Sequence, residues 1–414
     1  MKLFVQVTIV LPCVIFGVAS LISNNTYNIH RTILDEYNAD IRPCLDCTTP
    51  LYIEMAFNLA SLNKLDEIEG ELNTVGYVTI SWMDERLKWD YQSTGVSSIM
   101  LSPKHVWTPP IILGNPSKSV SRLNADDALV RVMHNGKILW HPGDVFRSRC
   151  EFDVYNYPFD KQSCMIIFTP WSYSWKEISL KSSMQQIQTD FYHENGEWKL
   201  GTTNVSTYAN GQISIIQFDI NFVRRSEFFV VNVIVPIACL SFLNCLSFAI
   251  PIQSGERLSY SVTILLSFAV FMTLVSDNIP KTSAPMSLLC YFLMLLFSGS
   301  VMIMICVMVN MRVFYTDHAS KISPAYIRFT KLLKCCTNEE NSKSQHDKDN
   351  CIYYKNNINR SPSASISHLE QDPIEHVTWQ DVSHAFDRLG FVIFLVYFIG
   401  LSAGMVLYIS RAKF

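Results

Sequence analysis

The chain has 414 residues, of which 49% are apolar and only 17% are charged, and its formal net charge is -3 at pH 7. So few charges in a chain of this length indicate that part of it lies in lipid. The chain has no basic stretch interleaved with aromatic residues, which argues against a nucleic-acid partner.

The first 20 residues, MKLFVQVTIVLPCVIFGVAS, predict a cleavable signal peptide. Lys2 precedes an apolar run that ends in small residues near Ala19, the usual order in a secretion signal. An uncleaved membrane anchor is the alternative. Secretion would place the residues that follow in an oxidising compartment, where disulfides form.

Residues 21–226 predict an extracellular, all-β, immunoglobulin-like sandwich with antiparallel strands. Short runs of alternating apolar and polar residues, such as VGYVTISW and CMIIFT, are separated by Gly, Pro, Asn and Ser. This alternation is typical of half-buried strands. Asn24 and Asn204 head Asn-x-Ser/Thr triplets, which makes both candidate glycosylation sites.

Four cysteines of this segment, Cys44, Cys47, Cys150 and Cys164, fit two disulfides. We interpret Cys44 and Cys47 as a local bridge; half a zinc site or a redox motif is the alternative, but no second Cys-x2-Cys or histidine pair accompanies them. The stretch CEFDVYNYPFDKQSC then forms a closed loop. A bridge over about 15 residues stabilises by roughly 3 kcal/mol, which is modest here, so we expect the loop to hold a shaped tip.

Four later stretches have the length of about 20 apolar residues that a membrane-crossing helix needs. Three lie within 227–310, and the four run over 228–252, 258–276, 287–309 and 389–409. Residues 311–388 begin with basic residues, which favours the cytoplasmic side, and their polar centre predicts disorder. A polar helix around His376 to Arg388 is expected to lead into the last crossing. Residues 389–414 then end in a short tail, and four crossings place both termini outside.

The second crossing, SGERLSYSVTILLSFAVFMTLVSDNIPK, carries a mixed stripe on one helical face. The stripe is acidic at both ends, hydroxylated near one end and apolar in the middle, and consists of Glu256, Ser259, Thr263, Leu266, Val270 and Asp277. Several copies would avoid exposing such groups to hydrocarbon by lining water together. Carboxylate rings would attract cations, and apolar rings would close the path by excluding water. Alternatively, the carboxylates merely flank a membrane helix and the hydroxyls bond to its own carbonyls.

Several further motifs occur together in this chain. They are WMDERLKW, VWTP and WSYSW before the first crossing, VNVIVP within it, and the Cys-x13-Cys loop with Tyr-Pro-Phe-Asp. With SGERLS and TILLS in the second crossing, these motifs resemble the Cys-loop pentameric ligand-gated ion channels of the nicotinic acetylcholine receptor type. The resemblance implies a homomeric or heteromeric pentamer in the plasma membrane, with agonist sites between neighbouring sandwiches. It also implies cation conduction, because Glu256 is present and the Pro-Ala insertion typical of anion channels is absent.

The resemblance also implies which residues bind ligand. Trp171 matches the central tryptophan of an aromatic box that holds cationic amines through cation–π attraction. Tyr77 stands where the opposite face of the site usually has a tryptophan. Further candidates are Tyr173, Tyr208, Trp140 and His141.

A second implied site couples ligand binding to the pore. Tyr157, Pro158 and Phe159 would form an apolar foot at the membrane surface, and Pro158 is a candidate for a cis peptide bond. Arg224, at the end of the last strand, would anchor a buried charge cluster. The foot would touch the connection at about 277–285 and relay agonist closure to Leu266. In the alternative interpretation, the two rings only fill the base of the sandwich.

The binding segments depart from the family pattern at several positions. Gly114 stands where a tyrosine is usual, Pro110 where an aspartate is usual, and residues 201–211 lack the adjacent cysteines of acetylcholine-binding subunits. Each lost ring removes about 0.5 to 2 kcal/mol of cation–π attraction, so we expect a ligand other than acetylcholine, either an amine or a more hydrophobic molecule.

Three alternatives to a self-sufficient channel subunit follow. The chain is an accessory subunit without its own agonist site, a divergent chemosensory receptor for hydrophobic ligands, or a membrane-tethered binding or adhesion protein that does not conduct. An enzyme is not expected, because the P-loop, GxSxG and HExxH motifs are absent and the histidines show no metal spacing. We expect no cofactor or metal, and the expected partners are other subunits, a small extracellular ligand, membrane lipid and permeant cations.

Overall fold

The computed structural model describes residues 25–44, 47–123, 127–278, 286–316, 326–327, 330 and 378–412. The predicted signal peptide, Asn24 and most of the predicted cytoplasmic segment lie outside these residues. The chain divides into two compact units, one ending at Arg225 and the other beginning at Ser226.

The first unit is a β-sandwich preceded by a helix over residues 25–34 (α1). Its larger sheet has the strand order β3-β5-β6-β2-β1-β9, with β7 also paired to β2. These strands are β1 Leu51–Asp66, β2 Glu71–Lys88, β3 Ser98–Leu101, β5 Val130–Met133, β6 Asn135–Trp140, β7 Gly143–Arg149 and β9 Ile178–Lys181; a short helix, α2 Tyr91–Thr94, follows β2. The smaller sheet has the order β10-β11-β8-β4, formed by β4 Ile111–Leu113, β8 Lys161–Pro170, β10 Trp198–Asn210 and β11 Ile213–Arg224.

Aromatic rings from both sheets form the centre of the sandwich. Phe57 and Phe146 of the larger sheet meet edge to face at 5.3 Å between ring centroids, and Phe146 meets Phe168 of the smaller sheet at 5.5 Å. Such geometry adds to the stabilisation from apolar burial. The immunoglobulin-like sandwich predicted from alternation is therefore confirmed. The strands are not all antiparallel, however, because β1 pairs with β9 in parallel.

Both predicted disulfides are present. Cys44 is bonded to Cys47 and Cys150 to Cys164, with S–S distances of 2.05 and 1.98 Å. A bonded pair has no free thiolates to bind a metal, so the zinc alternative for Cys44 and Cys47 does not apply.

The second unit contains four helices that are long and apolar enough to cross a membrane. They are α3 Glu227–Phe248, α4 Arg257–Asn278, α5 Leu288–Phe314 and α6 Trp379–Ala412. Helix α3 contains a π-helical turn at Val230–Ile234, which ends two residues before Pro236, and this proline has no N–H to donate to the helix.

Three of the four helices have bounds that differ by more than two residues from those predicted. Helix α5 continues to Phe314, five residues beyond the predicted end at residue 309. Helix α3 stops at Phe248 rather than at residue 252, because Pro251 adopts an extended conformation and starts a short 3-10 turn. Helix α6 begins at Trp379 and continues without interruption through residue 389. The polar helix and the last crossing, predicted as two segments, are thus one helix.

Candidate ligand-binding and pore-lining sites

Trp171 lies directly after β8, at one end of the smaller sheet, and is 57% exposed. Its backbone N–H donates to the carbonyl of Pro110 at 2.7 Å. Ser172 has a φ of 65°, in the left-handed region, so the chain turns sharply after the tryptophan. The N–H of Trp175 then donates to the carbonyl of Gln212 at 2.8 Å. The loop is therefore fixed at both ends while the indole faces outward.

Tyr208 lies at the same end of this sheet. It pairs with Ile215 of β11, and the next residue of β11, Ile216, pairs with Phe168, three residues before Trp171. The ring is exposed, and its hydroxyl donates to Gln217 Oε1 at 3.0 Å. The smaller sheet thus presents two accessible aromatic residues, Trp171 and Tyr208.

Tyr173 is only partly accessible, because it packs against the sandwich core. It lines an open cavity of about 330 Å³ together with Trp107, Pro110 and Arg122. Pro110, one of the departures from the family pattern, therefore shapes the backbone beside Trp171 rather than contributing a carboxylate there.

Tyr77 lies on β2 of the larger sheet, on the other layer of the sandwich. Gly76 precedes it, and a Cβ at Gly76 would lie 2.4 Å from the carbonyl oxygen of Asn58, so this close strand pairing requires glycine. The Tyr77 ring lies edge to face with His141 at 6.1 Å. His141 Nδ1 lies 3.1 Å from Thr79 Oγ1, and burial, together with the charge of Arg131, lowers the pKa of His141.

Trp140 does not lie in a ligand-accessible position, which corrects the sequence analysis. Trp140 is only 2% exposed and belongs to the sandwich core. Its indole N–H donates to the carbonyl of Ala128 at 3.1 Å. Because neighbouring strand residues point to opposite faces, the exposed member of this pair is His141.

The tip of the cystine loop is largely buried. The Tyr157-Pro158 bond is cis, both residues are buried, and Phe159 is half-buried. Burial of Tyr157 is what the alternative interpretation, in which the rings fill the sandwich base, predicts. The role of the three residues as an apolar foot remains a prediction. Tyr155, 40% exposed, is an accessible ring of this loop that the sequence analysis did not consider.

Arg224 organises the base of the sandwich. Its guanidinium carbon lies 4.7 Å from the centroid of the Tyr157 ring, and its nitrogens contact Asp160 at 2.7 Å and Glu67 at 2.5 Å. Burial raises the pKa of Tyr157 to about 12, although the positive charge of Arg224 opposes this shift. Burial also lowers the pKa of Arg224, but the hydrogen bonds with Asp160 and Glu67 outweigh it and the net shift is upward. The charge cluster predicted around Arg224 is present, and Asp160 and Glu67 are its acidic members.

The middle of the predicted pore stripe lies on the exposed face of α4, and Glu256 directly precedes the helix. Glu256, Ser259 and Thr263 are exposed, and Leu266 and Val270 are 62% and 53% exposed. The opposite face is buried and consists of Arg257, Ser261, Ile264, Phe268 and Val275. Asp277 belongs to the helix, but its side chain lies outside the part of the structure that is described.

Hydroxyl groups on this face bond to the helix itself. Thr263 Oγ1 donates to the carbonyl of Ser259 at 2.8 Å, and Ser267 Oγ donates to that of Thr263 at 2.8 Å. The bonding predicted by the alternative interpretation is thus present. It is compatible with exposure to water, because each hydroxyl oxygen keeps lone pairs that accept further hydrogen bonds.

No group of three or more His, Cys, Asp or Glu side chains that could hold a metal ion occurs within the described ranges.

Two family models match this chain. Residues 26–226 match the neurotransmitter-gated ion-channel ligand binding domain, and residues 233–375 match the neurotransmitter-gated ion-channel transmembrane region. Together the matches cover more than four fifths of the chain. The chain therefore belongs to the neurotransmitter-gated ion-channel family, whose members are ligand-gated channels rather than enzymes. Like other members, it is a multi-pass protein of the plasma membrane with an extracellular amino-terminal domain.

Nicotinic acetylcholine receptor subunits are among its relatives, which confirms the resemblance predicted from the motifs. The chain is 29% identical over 330 residues to the acetylcholine receptor subunit beta-type unc-29 of Caenorhabditis elegans, covering 78% of this chain and 66% of the relative. It is 32% identical over 311 residues to the subunit beta-type acr-3 of the same organism, covering 73% and 62%. It is 27% identical over 313 residues to the neuronal acetylcholine receptor subunit beta-4 of Gallus gallus, covering 73% and 65%. The matched part thus spans just under two thirds of each of these relatives.

Proposed function

We propose that this chain is a subunit of a ligand-gated cation channel that assembles as a pentamer, with itself or with homologous subunits, and opens when a small extracellular molecule binds. The exposed stripe on α4 carries this proposal. A membrane helix that leaves Glu256, Ser259 and Thr263 uncovered by its own chain needs water or a neighbouring copy on that face. A ring of α4 helices supplies both.

The stripe also supports the cation preference and the gate. Five copies of Glu256 at one mouth would concentrate cations and repel anions. Leu266 and Val270 stand on the same face and would form apolar rings that exclude water when the pore is narrow. Opening would widen these rings.

Two groups of aromatic residues support a ligand cleft between subunits, and each is called a half-site here. Trp171 and Tyr208 are exposed on the smaller sheet, and Tyr77 with His141 belongs to the larger sheet. In a ring of identical subunits, the Trp171 and Tyr208 half-site of one sandwich would face the Tyr77 and His141 half-site of the next. The cluster around Arg224 and Tyr157 would then support the coupling of this cleft to the pore.

The ligand is proposed to be a small amine or a hydrophobic molecule other than acetylcholine. Strands β10 and β11 are joined by a turn at Gly211, with a φ of 61°, and Gln212, and no cysteine pair is present at this hairpin. With Gly114 in place of an aromatic residue as well, fewer rings are available to hold a quaternary ammonium group.

An accessory subunit is the second candidate. The short hairpin at Gly211 favours it, because a subunit that supplies only pore and interface residues does not need a complete aromatic box. Current from cells that express this chain alone would exclude this candidate, whereas current that requires a co-expressed relative would support it.

A leak experiment tests the proposal without knowledge of the ligand. Leu266→Thr makes the proposed gate polar, so cells at negative potential should show a resting inward current. Leu265→Thr, one residue away and on another face of α4, is the matched control and should not leak. If Leu266→Thr reaches the cell surface and the resting conductance stays at the wild-type level, the chain is better explained as a non-conducting binding or adhesion protein.

A further inference from the structure

The proposed pore helix begins with a completely buried cation. Arg257 is the first residue of α4, and its residue is 0% exposed. Both of its terminal guanidinium nitrogens donate to the carboxylate of Asp387 on α6, the Nη1–Oδ2 distance being 3.0 Å. Bidentate pairing of this kind is the strongest geometry for a guanidinium and a carboxylate.

A third helix completes the cluster. Asn310 of α5 donates from Nδ2 to Asp387 Oδ1 at 2.7 Å and to the carbonyl of Ser383 at 3.1 Å. The side chain of Asp387 is 13% exposed. Asp387 therefore accepts from two other helices at once.

One carboxylate balances the charge of Arg257. The third guanidinium nitrogen of Arg257, Nε, has no hydrogen-bond partner in the described part of the chain. The guanidinium carbon lies 5.7 Å from the centroid of the Phe248 ring. A buried cation that loses its anion is costly, because water cannot replace it. The position of Arg257 thus depends on Asp387.

The neighbouring residue has the opposite environment. Glu256 is exposed, and it forms no ion pair within the described ranges. Consecutive residues at a helix start point about 100° apart, so burial of Arg257 against α6 directs Glu256 away from the bundle. The two opposite charges are adjacent in sequence, yet only the negative one remains accessible.

We propose that Asp387 is a selectivity-determining residue, which acts by holding Arg257 out of the pore mouth so that the negative charge of Glu256 is not cancelled there. This inference rests on the proposed channel function. In a pentamer, five released guanidinium groups would stand beside five carboxylates. At physiological ionic strength, charges within about 8 Å of each other are only partly screened, so the cation preference of the mouth would fall.

The test uses the leaky Leu266→Thr channel as background, because its current needs no agonist. Asp387→Asn removes the charge while keeping the shape of the side chain. We expect a several-fold fall in the cation-to-anion permeability ratio, measured as a shift of the reversal potential towards that of chloride under a sodium chloride gradient. Asp381→Asn, on the same helix, is the matched control and should leave the ratio unchanged.

A paired substitution separates selectivity from folding. Arg257→Gln combined with Asp387→Asn removes both charges and should restore the permeability ratio of the background. An unchanged ratio in Asp387→Asn, or a failure of the pair to restore it, would overturn the inference.

If Asp387→Asn does not reach the surface, Arg257→Gln alone decides the question. It should keep or increase the cation preference, and a decrease would overturn the inference. Absence of current in the Leu266→Thr background itself, with the protein at the surface, would instead contradict the proposed channel function.

Discussion

Arg224 stacks on Trp198, with the guanidinium carbon 4.1 Å from the centroid of the indole. Trp198 starts β10 and Arg224 ends β11, and the two residues are directly paired in the sheet. The stack therefore ties the last strand of the sandwich to its neighbour at the position where the chain leaves the first unit.

Loss of the charge of Arg224 should destabilise the sandwich strongly. Arg224→Gln leaves Asp160, 2% exposed, without its cation, and removal of one partner of a buried pair costs about 3 to 5 kcal/mol. Arg225→Gln is the matched control, because that arginine pairs with Glu194 at the surface, where such pairs contribute about 0 to 1 kcal/mol. Thermal unfolding of the purified receptor compares the two, and equal loss of stability would contradict the assigned role of the cluster.

The buried phenol of Tyr157 should make stability depend on alkaline pH. The unfolded chain ionises this group near pH 10, whereas the folded protein holds the pKa at about 12. The stability linked to Tyr157 is therefore complete below about pH 10 and is lost as the pH rises to about 12. We expect Tyr157→Phe to flatten the stability curve in this range, measured by chemical denaturation. Tyr155→Phe, which removes an exposed phenol from the same loop, should keep the wild-type curve.

Cysteines introduced on opposite faces of α4 should react differently with a charged thiol reagent. Thr263 is exposed, so modification of Thr263→Cys should block the leak current of the Leu266→Thr channel. Ser261 is 1% exposed and provides the matched control, since the reagent should not reach Ser261→Cys. Whole-cell current before and after reagent measures the difference, and conduction that survives modification at residue 263 would place the water path elsewhere.

Trp171 should matter to whichever ligand opens the channel. Removing one cation–π contact of about 0.5 to 2 kcal/mol weakens binding by about 2- to 30-fold. We therefore expect Trp171→Ala to raise the half-maximal concentration of an amine agonist by this factor in current recordings. Trp175→Ala, which removes another exposed indole from the same loop, is the control. Equal effects of the two substitutions would indicate that the loop, rather than the Trp171 ring, determines affinity.

The elements with a repeating pattern were predictable from the sequence. The stripe from Ser259 to Val270 emerged on the exposed face of α4 because helical spacing determines which side chains share a face. The sandwich was predictable because strand alternation separates core from surface positions. Alternation alone did not decide between Trp140 and His141, since a shift of one residue exchanges the two faces of a strand. In the structure, the larger and more apolar ring, that of Trp140, lies in the core.

The remaining features depend on contacts between residues far apart in sequence. Asp387 lies 130 residues after Arg257, and no local pattern links the two. Tyr157 packs against Arg224, 67 residues further along the chain, which also pairs with Glu67 and Asp160. Strand β9 pairs in parallel with β1, although seven other strands lie between the two in sequence. Such long-range pairings are determined by packing and charge balance, which a single sequence does not display.

Helix α6 has 34 residues and is therefore about 51 Å long at 1.5 Å per residue. The hydrocarbon layer of a bilayer is about 30 Å thick, so roughly four turns of this helix must stand beyond it as a rigid rod. Trp379, Asp387 and the apolar turns that follow them all belong to this one helix. Any contact made at the Trp379 end would therefore reach the membrane-spanning turns through one continuous helix.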